Sequence, residues 1–232
     1  MTNAVVIGAS GGIGCAVARA IADADAYETV FALSRSGVCA PLPIRSATID
    51  ITDEASVAAA AQAIEAAGPI GLIVVASGIL HGPGIKPEKA IRALDPAAMA
   101  AVFTVNTIGP ALVAKHFLPL MPRSGRSLFA ALSARVGSIE DNRLGGWYAY
   151  RASKAALNQI LRTLAIETAR THPDAIIVGL HPGTVRTALS HPFRPDDGTP
   201  GVFTPEECAA HLVCVLDGLN TADSGKVLAW DG

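Results

Sequence analysis

Short apolar runs alternate with alanine-rich segments of helical length along the whole chain of 232 residues. Seven runs have the length of a β-strand, and they cover residues 4–8, 29–33, 45–49, 72–76, 127–132, 175–180 and 227–230. Five intervening segments have the length and apolar spacing of helices, and they cover residues 13–22, 54–66, 96–118, 148–169 and 205–219. Strands that alternate with helices form parallel sheets, because each parallel connection needs a crossover. The alternation therefore predicts an α/β fold with a parallel sheet of about seven strands.

Several of these strands are apolar at consecutive positions, as in Leu-Ile-Val-Val-Ala at residues 72–76. A strand of this kind is buried on both faces, so helices must cover both sides of the sheet. The expected architecture is a Rossmann-like, doubly wound, three-layer α/β/α sandwich. Half of the residues are hydrophobic, and the length suits one core, so we expect a single domain over residues 1–232.

The charge and hydropathy of the chain favour a small-molecule partner. Eighteen basic and twenty acidic residues leave a formal net charge of -2, which gives no overall attraction to nucleic acid or to an anionic membrane. We find no basic leader before a long apolar core and no run of eighteen or more apolar residues. We therefore expect a cytoplasmic protein without a spanning helix.

The six histidines and four cysteines show no ligand spacing, so we expect no metal.

A glycine-rich turn, Gly-Ala-Ser-Gly-Gly-Ile-Gly at residues 8–14, follows the first predicted strand and opens the first predicted helix. Residues without side chains permit a tight turn and let the backbone approach a pyrophosphate. The helix N-terminus adds free N–H groups and the positive end of the helix dipole. At this position the turn predicts a dinucleotide site. The residues assigned to it are Gly8, Ser10, Gly11, Gly12, Ile13 and Gly14.

The spacing of Gly8, Gly12 and Gly14 resembles the glycine pattern of the short-chain dehydrogenase/reductase family, not the pattern G-x-G-x-x-G. The resemblance covers nearly the whole chain. It implies an enzyme that transfers hydride between a nicotinamide cofactor and a carbonyl or alcohol substrate. One motif departs from the family, because Val-Ala-Ser-Gly at residues 75–78 replaces the usual Asn-Asn-Ala-Gly after the fourth strand. By the resemblance, Ala76 and Gly78 still border the cofactor.

Arg35 stands at the end of the second predicted strand, where an NAD-binding protein usually carries Asp or Glu. A guanidinium binds a 2′-phosphate through two hydrogen bonds, whereas a carboxylate repels it. Arg35 and the preceding Ser34 therefore predict NADP(H) as the cofactor, and a solvated surface arginine is the alternative.

After the third strand, Asp50 and Ile51 match family positions at the adenine ring. Helix capping before Glu54 is a competing role for the nearby Thr52 and Asp53, and a weaker alternative for Asp50.

Tyr150 and Lys154 lie four residues apart in a predicted helix and so share one helix face. Reduction of a carbonyl requires a proton on oxygen as hydride reaches carbon, and a phenol can supply it if an ammonium group lowers its pKa. We therefore expect Lys154 to lower the pKa of Tyr150. The resemblance makes Tyr150 the general acid or base and gives Lys154 a second contact, with the nicotinamide ribose. A surface tyrosine packed on a lysine stem is the alternative.

Two more residues complete the catalytic set that the resemblance implies. Ser133, after the fifth predicted strand, matches the serine that hydrogen-bonds the reacting oxygen. Asn106 matches the asparagine that kinks a long helix and holds a water linking the lysine to solvent, and a purely structural asparagine is the alternative. Ser138 and Tyr148 are poorer candidates, because Ser138 lies beyond the strand end and Tyr148 has no lysine four residues further on.

The segment His-Pro-Gly-Thr-Val-Arg-Thr at residues 181–187 resembles the family's Pro-Gly motif, whose backbone and threonine contact the nicotinamide carboxamide. The residues assigned to this contact are Pro182, Gly183, Val185 and Thr187. The residues that follow have the composition of a loop and begin at the sheet edge where ligands usually bind. We expect a mobile substrate lid near residues 188–203.

The stretch between Ser133 and Tyr150 resembles the carbonyl reductase branch of sniffer-like and C-factor-like proteins. The resemblance implies a small carbonyl or alcohol substrate contacted by Arg135, Asn142 and Trp147. It also implies a homodimer or homotetramer, because only sixteen residues separate Ser133 from Tyr150 and the insertion that covers the long helices in monomeric carbonyl reductases is absent. The alternative function is a regulatory protein that senses NADP(H) and acts through a protein partner.

Overall fold

The computed structural model of the chain describes residues 1–36, 44–193 and 201–232. Within these ranges the strands are β1 (Asn3–Ile7), β2 (Val30–Ser34), β3 (Arg45–Thr48), β4 (Ile70–Val75), β5 (Ser127–Leu132), β6 (Ala175–His181), β7 (Thr184–Val185), β8 (Val202–Phe203) and β9 (Val227–Ala229). The α-helices are α1 (Gly12–Asp23), α2 (Glu54–Glu65), α3 (Pro96–Phe103), α4 (Gly109–Phe117), α5 (Tyr148–Thr168) and α6 (Pro205–Gly218).

Seven strands form one parallel sheet in the order β3-β2-β1-β4-β5-β6-β9. The chain first builds outward from β1 to β2 and β3, and then returns to place β4 on the other side of β1. In an open parallel sheet, ligands bind outside the carboxyl ends of the strands at this reversal. The predicted Rossmann-like sandwich and its number of strands are confirmed.

Both faces of the sheet are covered, as the strand sequences predict. In β1, Ala4 and Val6 pack in the core layer that contains α1 and α6. Val5 and Ile7 pack in the opposite layer with α2, α4 and α5. Consecutive apolar residues are therefore required, because each one enters a different buried layer.

Three helices begin at local capping signals. The carboxylates of Asp53 and Asp95 accept hydrogen bonds from backbone N–H groups at the starts of α2 and α3. Thr204 and Glu207 form a reciprocal capping box at the start of α6. Helix α1 has no such side-chain cap, and its first turn faces the carboxyl ends of β1 and β4.

The helix predicted over residues 96–118 is divided into three parts. Helix α3 ends at Phe103, a π-helical turn spans Thr104–Ile108, and α4 begins at Gly109. The wider turn surrounds the buried Asn106, where the resemblance implies a kink. A π turn inside a helix commonly marks a functional position.

Within the described residues, one helical stretch has the length and composition of a membrane-spanning helix. Pro96–Leu120 is 25 residues long and apolar enough to cross a membrane by length and composition alone. Polar residues at the centre of the stretch interrupt the apolar run, but the mean hydropathy over its most apolar 18 residues is still high enough for a membrane-spanning helix. In the fold the stretch packs against α2 and α5, and Asn106 and Thr107 are buried. A single stretch of this kind is weak evidence of a membrane span, because core helices of soluble proteins meet the same criteria.

A second, two-stranded parallel sheet joins β7 to β8, with Thr184 paired to Val202 and Val185 to Phe203. The sequence does not indicate these strands, because two residues are too few to show a periodicity. The pairing joins residues just before the predicted lid near residues 188–203 to the last residues of that lid. Residues 194–200 within the lid lie outside the described ranges.

Candidate active site

The glycine-rich turn after β1 leaves no space for a side chain at Gly8 or Gly14. Gly8 has a φ of 88°, and its N–H group donates to the carbonyl oxygen of Leu33 at 2.8 Å. A Cβ atom on Gly8 would lie 2.7 Å from the backbone nitrogen of Ser77, and one on Gly14 would collide with the carbonyl oxygen of Gly8. Glycine is therefore required at both positions, as a close backbone turn between β1 and α1 demands.

The first turn of α1 keeps backbone N–H groups available for a ligand. Its first helical hydrogen bond runs from the N–H group of Cys15 to the carbonyl oxygen of Gly11 at 2.9 Å. The N–H groups of residues 12–14 precede this bond and have no intrahelical partner. No acidic residue lies in this turn. These features fit the phosphates of a dinucleotide.

A first cavity, of about 230 Å³, opens beside the glycine turn at the carboxyl ends of β1, β2 and β4. It brings together most of the residues predicted for the adenosine half of the cofactor. Its described lining residues are Gly8, Ser10, Gly11, Ser34, Arg35, Ile49, Asp50, Ile51, Thr52, Ala76, Ser77, Gly78, Ile79 and Val105. Arg35 is exposed at this cavity and places a positive charge there.

The Asp50 carboxylate is held by its own loop. Its Oδ1 atom accepts hydrogen bonds from the N–H group and the hydroxyl of Thr52, at 2.9 and 2.7 Å. These bonds, and to a smaller extent the nearby Arg35 guanidinium, hold the pKa of Asp50 below its ordinary value. Asp53, not Asp50, caps helix α2.

A second cavity, of about 280 Å³, continues from the glycine turn to the ends of β5 and β6. It shares Gly11, Ala76, Ser77 and Gly78 with the first cavity, so the two lie next to each other. Its described lining residues are Gly11, Gly12, Ile13, Gly14, Ala76, Ser77, Gly78, Leu132, Ser133, Tyr150, Lys154, Pro182, Thr187, Ala188 and Leu189. Most of the predicted catalytic residues thus meet the predicted cofactor residues.

Tyr150 and Lys154 both line this second cavity. The Nζ atom of Lys154 lies 5.9 Å from the centroid of the Tyr150 ring and donates to the carbonyl oxygen of Leu132 at 2.7 Å. Burial lowers the pKa of Lys154 to about 8 and raises the pKa of Tyr150 to about 12. The shift of Tyr150 is opposite to the sequence expectation, because removing the phenol from water outweighs the attraction of the ammonium group at this distance.

Asn106 links the π turn to two neighbouring segments. Its Oδ1 atom accepts from the N–H group of Ile79, and its Nδ2 atom donates to the carbonyl oxygen of the same residue, both at 2.8 Å. Nδ2 also donates to the hydroxyl of Ser153 in α5 at 3.1 Å. A Cβ atom on Gly78 would lie 3.4 Å from Asn106 Oδ1 and 3.5 Å from Lys154 Nζ, so the amide and the ammonium group flank Gly78. A water link from Lys154 through Asn106 stays a prediction.

Asn158 is a candidate site residue that the sequence analysis missed. The hydroxyl of Ser133 donates to Oδ1 of Asn158 at 2.6 Å, which fixes the orientation of that hydroxyl. Asn158 follows Lys154 by four residues, so Tyr150, Lys154 and Asn158 form one stripe along α5. That spacing is the signal that could have indicated it.

A third, more apolar cavity, of about 220 Å³, adjoins the second and shares Ser133 and Tyr150 with it. Its described lining residues are Ile13, Leu80, Ser133, Ala134, Arg135, Val136, Trp147, Tyr150, His181, Pro182, Gly183, Thr184, Val185, Thr187, Leu189, Ser190 and Phe193. Trp147 contacts the Tyr150 and Phe193 rings edge to face, with centroid distances of 6.2 and 5.3 Å. The cavity has the composition of a substrate pocket with an apolar wall.

Of the predicted substrate residues, Arg135 and Trp147 line this cavity and Asn142 does not. Asn142 is exposed, and its Oδ1 atom accepts a hydrogen bond from the N–H group of Gly145 at 3.0 Å. The side chain of Asn142 closes a surface turn, and a contact between Asn142 and the substrate stays a prediction. Arg135 is paired through Nε with the Asp141 carboxylate at 2.6 Å.

The Pro-Gly motif after β6 is held tightly against the aromatic residues near the C-terminus. Gly183 has a φ of 75°, and a Cβ atom there would lie 2.9 Å from the ring of Phe203. The carbonyl oxygen of Val185 accepts a hydrogen bond from the Ser190 hydroxyl. Thr187 reaches both the second and third cavities, whereas Val185 lines only the third of them.

Comparisons with known proteins agree with this geometry. The chain matches the family model described as short chain dehydrogenase over residues 2–198. It is 28% identical over 233 residues to 1-hydroxy-2-glutathionyl-2-methyl-3-butene dehydrogenase of Rhodococcus sp. (strain AD45), covering 100% of this chain and 98% of that protein. It is 35% identical over 145 residues to the C-signal protein of Myxococcus xanthus, covering 62% of this chain and 81% of that protein.

Solved structures show the same fold over the whole chain. The NADPH-bound carbonyl reductase from chicken fatty liver has a TM-score of 0.87 and 27% identity, covering 100% of this chain and 93% of that one. The carbonyl reductase Sniffer of D. melanogaster has a TM-score of 0.84 and 22% identity, covering 100% and 98%. The predicted resemblance to the sniffer-like and C-factor-like branch is confirmed. The chain belongs to the short-chain dehydrogenase family, whose members are oxidoreductases that bind a nicotinamide cofactor.

Proposed function

We propose that the chain is a single-domain, NADP(H)-dependent reductase that interconverts a small carbonyl compound and its alcohol, with Tyr150 as general acid or base. The observation that carries this proposal is the position of Ser133 and Tyr150 on the wall between the second and third cavities. A group bound in one cavity and a carbonyl bound in the other meet at these hydroxyls. Lys154 lies one helical turn beyond Tyr150. We place the reaction in the cytoplasm.

When bound, the nicotinamide supplies or accepts the hydride. A carbonyl oxygen between Ser133 and Tyr150 would accept a hydrogen bond from the Tyr150 hydroxyl. The single proton of the Ser133 hydroxyl is donated to Asn158 Oδ1 in this structure, so it must leave Asn158 to reach the same oxygen. The raised pKa leaves the Tyr150 phenol protonated at neutral pH but makes it a weaker acid than free tyrosine, so proton transfer to the carbonyl requires a nearby charge that stabilises the phenolate. Below pH 8 Lys154 is charged, so its ammonium group stabilises the phenolate that remains after proton transfer.

Residues at the three neighbouring cavities fit the cofactor. The glycine turn and the uncapped start of α1 would hold the pyrophosphate, and Asp50 and Ile51 would contact the adenine ring. Pro182, Gly183, Val185 and Thr187 would contact the nicotinamide carboxamide. Arg35 favours a phosphorylated ribose, and the carbonyl reductase from chicken fatty liver was solved with NADPH.

The cofactor preference is tested by dissociation constants for NADPH and NADH from fluorescence titration. We expect NADPH to bind at least ~10-fold more tightly, because a charge-assisted hydrogen-bonded pair contributes ~1.5–3 kcal/mol. Arg35→Asp should reverse the preference by repelling the 2′-phosphate. Arg92→Asp is the control, since Arg92 is exposed and is not among the described lining of the first cavity. Equal or tighter binding of NADH by the unaltered protein would contradict the assignment.

The activity is tested by following NADPH oxidation with a panel of aldehydes, ketones, quinones and 3-oxoacyl thioesters. For any substrate found, Tyr150→Phe should lower turnover by at least ~10²-fold while NADPH affinity is nearly unchanged, because it removes only the acid. Tyr148→Phe is the matched control, since Tyr148 is 37% exposed and is not among the described lining of the three cavities. Activity that survives Tyr150→Phe and disappears in Tyr148→Phe would reverse the assignment.

A regulatory protein that senses NADP(H) is the second candidate function. The observation in its favour is the 35% identity to a protein named C-signal. The two functions are separated by the same experiments. Tight NADPH binding without turnover of any carbonyl in the panel would favour the sensor and would direct the search to a protein partner.

A further inference from the structure

Helix α5 carries Tyr150 but begins without a cap of its own. Its N-cap residue is Trp147, which has left-handed φ and ψ angles of 52° and 46° and no side-chain hydrogen bond to the helix. Gly145 and Gly146 precede it with φ values of 63° and 67°. Three consecutive left-handed residues make a tight approach to the helix, and a tryptophan in this conformation needs support from its surroundings.

Glu88, 61 residues before Ala149 in the chain, supplies the missing acceptors. Its carboxylate Oε2 atom accepts a hydrogen bond from the N–H group of Ala149 at 3.2 Å. Its backbone carbonyl oxygen accepts from the N–H group of Trp147 at 2.5 Å. The side chain is buried, with 5% exposure. One distant residue therefore does what a local capping box does, and it places a carboxylate at the positive end of the helix dipole.

The turn that Glu88 holds contains two groups of the proposed site. Ala149 immediately precedes Tyr150, and Trp147 forms part of the apolar wall of the third cavity. The Trp147 and Tyr150 rings also contact each other edge to face. A displacement of this first turn moves the phenol and the wall of the pocket together. Glu88 itself is not among the described lining residues of the three cavities.

We infer that Glu88 is a positioning residue whose carboxylate clamps the first turn of α5 and so fixes Tyr150 and Trp147 at the substrate. The clamp depends on the length of the Glu88 side chain, because its carboxylate oxygen must come within hydrogen-bond distance of the Ala149 N–H group in another segment. Its effect on turnover rests on the proposed function. Its effect on the environment of Trp147 does not.

Two substitutions of Glu88 distinguish the effect of side-chain length from the effect of charge. Glu88→Gln keeps the length of the side chain and an acceptor oxygen but removes the charge. Glu88→Asp keeps the charge but is one methylene shorter and cannot span the same gap. We expect Glu88→Asp to lower kcat by at least ~10-fold and Glu88→Gln to stay within ~3-fold, because a misplacement of about 1 Å at a reacting group can cost ~10²-fold. The dissociation constant for NADPH should change by less than ~2-fold in both, because the glycine turn that carries the pyrophosphate site is a separate element.

Tryptophan fluorescence gives a readout that needs no substrate. The chain has two tryptophans, and Trp230 packs against Phe203 and His211 away from this turn. In a Trp230→Phe background, emission therefore reports on Trp147 alone. We expect Glu88→Asp to move this emission to longer wavelength and to increase quenching by acrylamide, and Glu88→Gln to leave both unchanged. Glu140→Asp, an exposed glutamate shortened in the same way, is the control.

Each outcome decides the inference. A Glu88→Asp variant with unchanged turnover and unchanged Trp147 emission overturns it. A loss of kcat in Glu88→Gln but not in Glu88→Asp, with Trp147 emission unmoved, shows that the charge and not the length of the side chain matters, and it overturns the clamp. A loss of thermal stability without either specific effect reduces Glu88 to a structural cap and also overturns it. If the emission shifts as expected while the unaltered protein reduces no carbonyl, the clamp stands and the proposed function fails.

Discussion

Lys154 is kept in the fold at a cost to stability. It is 3% exposed, its ammonium group donates to the carbonyl oxygen of Leu132, and burial lowers its pKa to about 8 from 10.5. The folded state therefore holds this proton more weakly than the unfolded state does. Below pH 8 Lys154 is protonated in both the folded and the unfolded state, so the full cost of burying its charge reduces the free energy of unfolding. The cost declines as the pH rises from about 8 to 10.5, where the unfolded chain still holds the proton.

Lys154→Met is therefore expected to stabilise the protein at pH 7. The lowered pKa corresponds to ~3 kcal/mol, and the unpaired carbonyl of Leu132 offsets ~1–2 kcal/mol of it. The net gain of ~1–2 kcal/mol should raise Tm by ~3–6 °C in a chain of this length. Thermal unfolding at pH 7 and pH 9.5 measures it, and the gain should shrink at the higher pH. Lys115→Met, with a side chain 62% exposed, is the control. A gain that grows with pH would contradict the assignment.

At this scale the sequence predicts residue types better than their surroundings. Tyr150, Lys154 and Ser133 were found because a spacing of four and a strand end are local features. The direction of the Tyr150 pKa shift was wrong, because it depends on burial by segments distant in the chain. Glu88 has no local signal, since its contact with α5 joins residues 61 positions apart.

The π turn between α3 and α4 is an element whose shape depends on one side chain. Replacing Asn106 with Leu keeps a similar size but leaves the half-buried N–H and carbonyl groups of Ile79 without their partner. Each unpaired group costs ~1–3 kcal/mol, so we expect a loss of ~2–5 kcal/mol. At ~2–4 °C per kcal/mol the Tm should fall by ~5–15 °C, measured by calorimetry.

Asn142→Leu is the control for this change, because its amide closes an exposed turn by one hydrogen bond. Its Tm should fall by less than ~3 °C, since surface substitutions usually cost under ~0.5–1 kcal/mol. If Asn106→Leu were as mild as Asn142→Leu, the hydrogen bonds to Ile79 would not hold the π turn. The helical irregularity would then need another cause.

Elements with strong periodicity were predicted to within one or two residues, as β5 and α5 show. The π turn was not visible as an element, because its geometry is set by hydrogen bonds from Asn106 to Ile79 and Ser153. The β7–β8 pairing was missed for a similar reason. Tertiary contact, not local propensity, determines each of these features.

On the scale of the whole molecule, the three cavities lie at one edge of the sheet, and helices α4 and α5 leave apolar residues exposed elsewhere. Ile166 in α5 is 53% exposed, and Ile108, the last residue of the π turn before α4, is 49% exposed. An exposed apolar helix face is a common site of subunit contact. The homodimer or homotetramer that we propose would bury this face, which leaves the cavities open at the sheet edge.

Light scattering at micromolar concentration is expected to give a mass at least twice the 23.7 kDa of one chain. Ile166→Glu should shift the protein toward the monomer, because a buried interface does not accept an unpaired carboxylate without a large desolvation cost. Ile91→Glu is the matched control, since Ile91 is 65% exposed but lies outside α4 and α5. A mass of 23.7 kDa for the unaltered protein would refute the oligomer. Equal dissociation by both substitutions would move the interface away from α5.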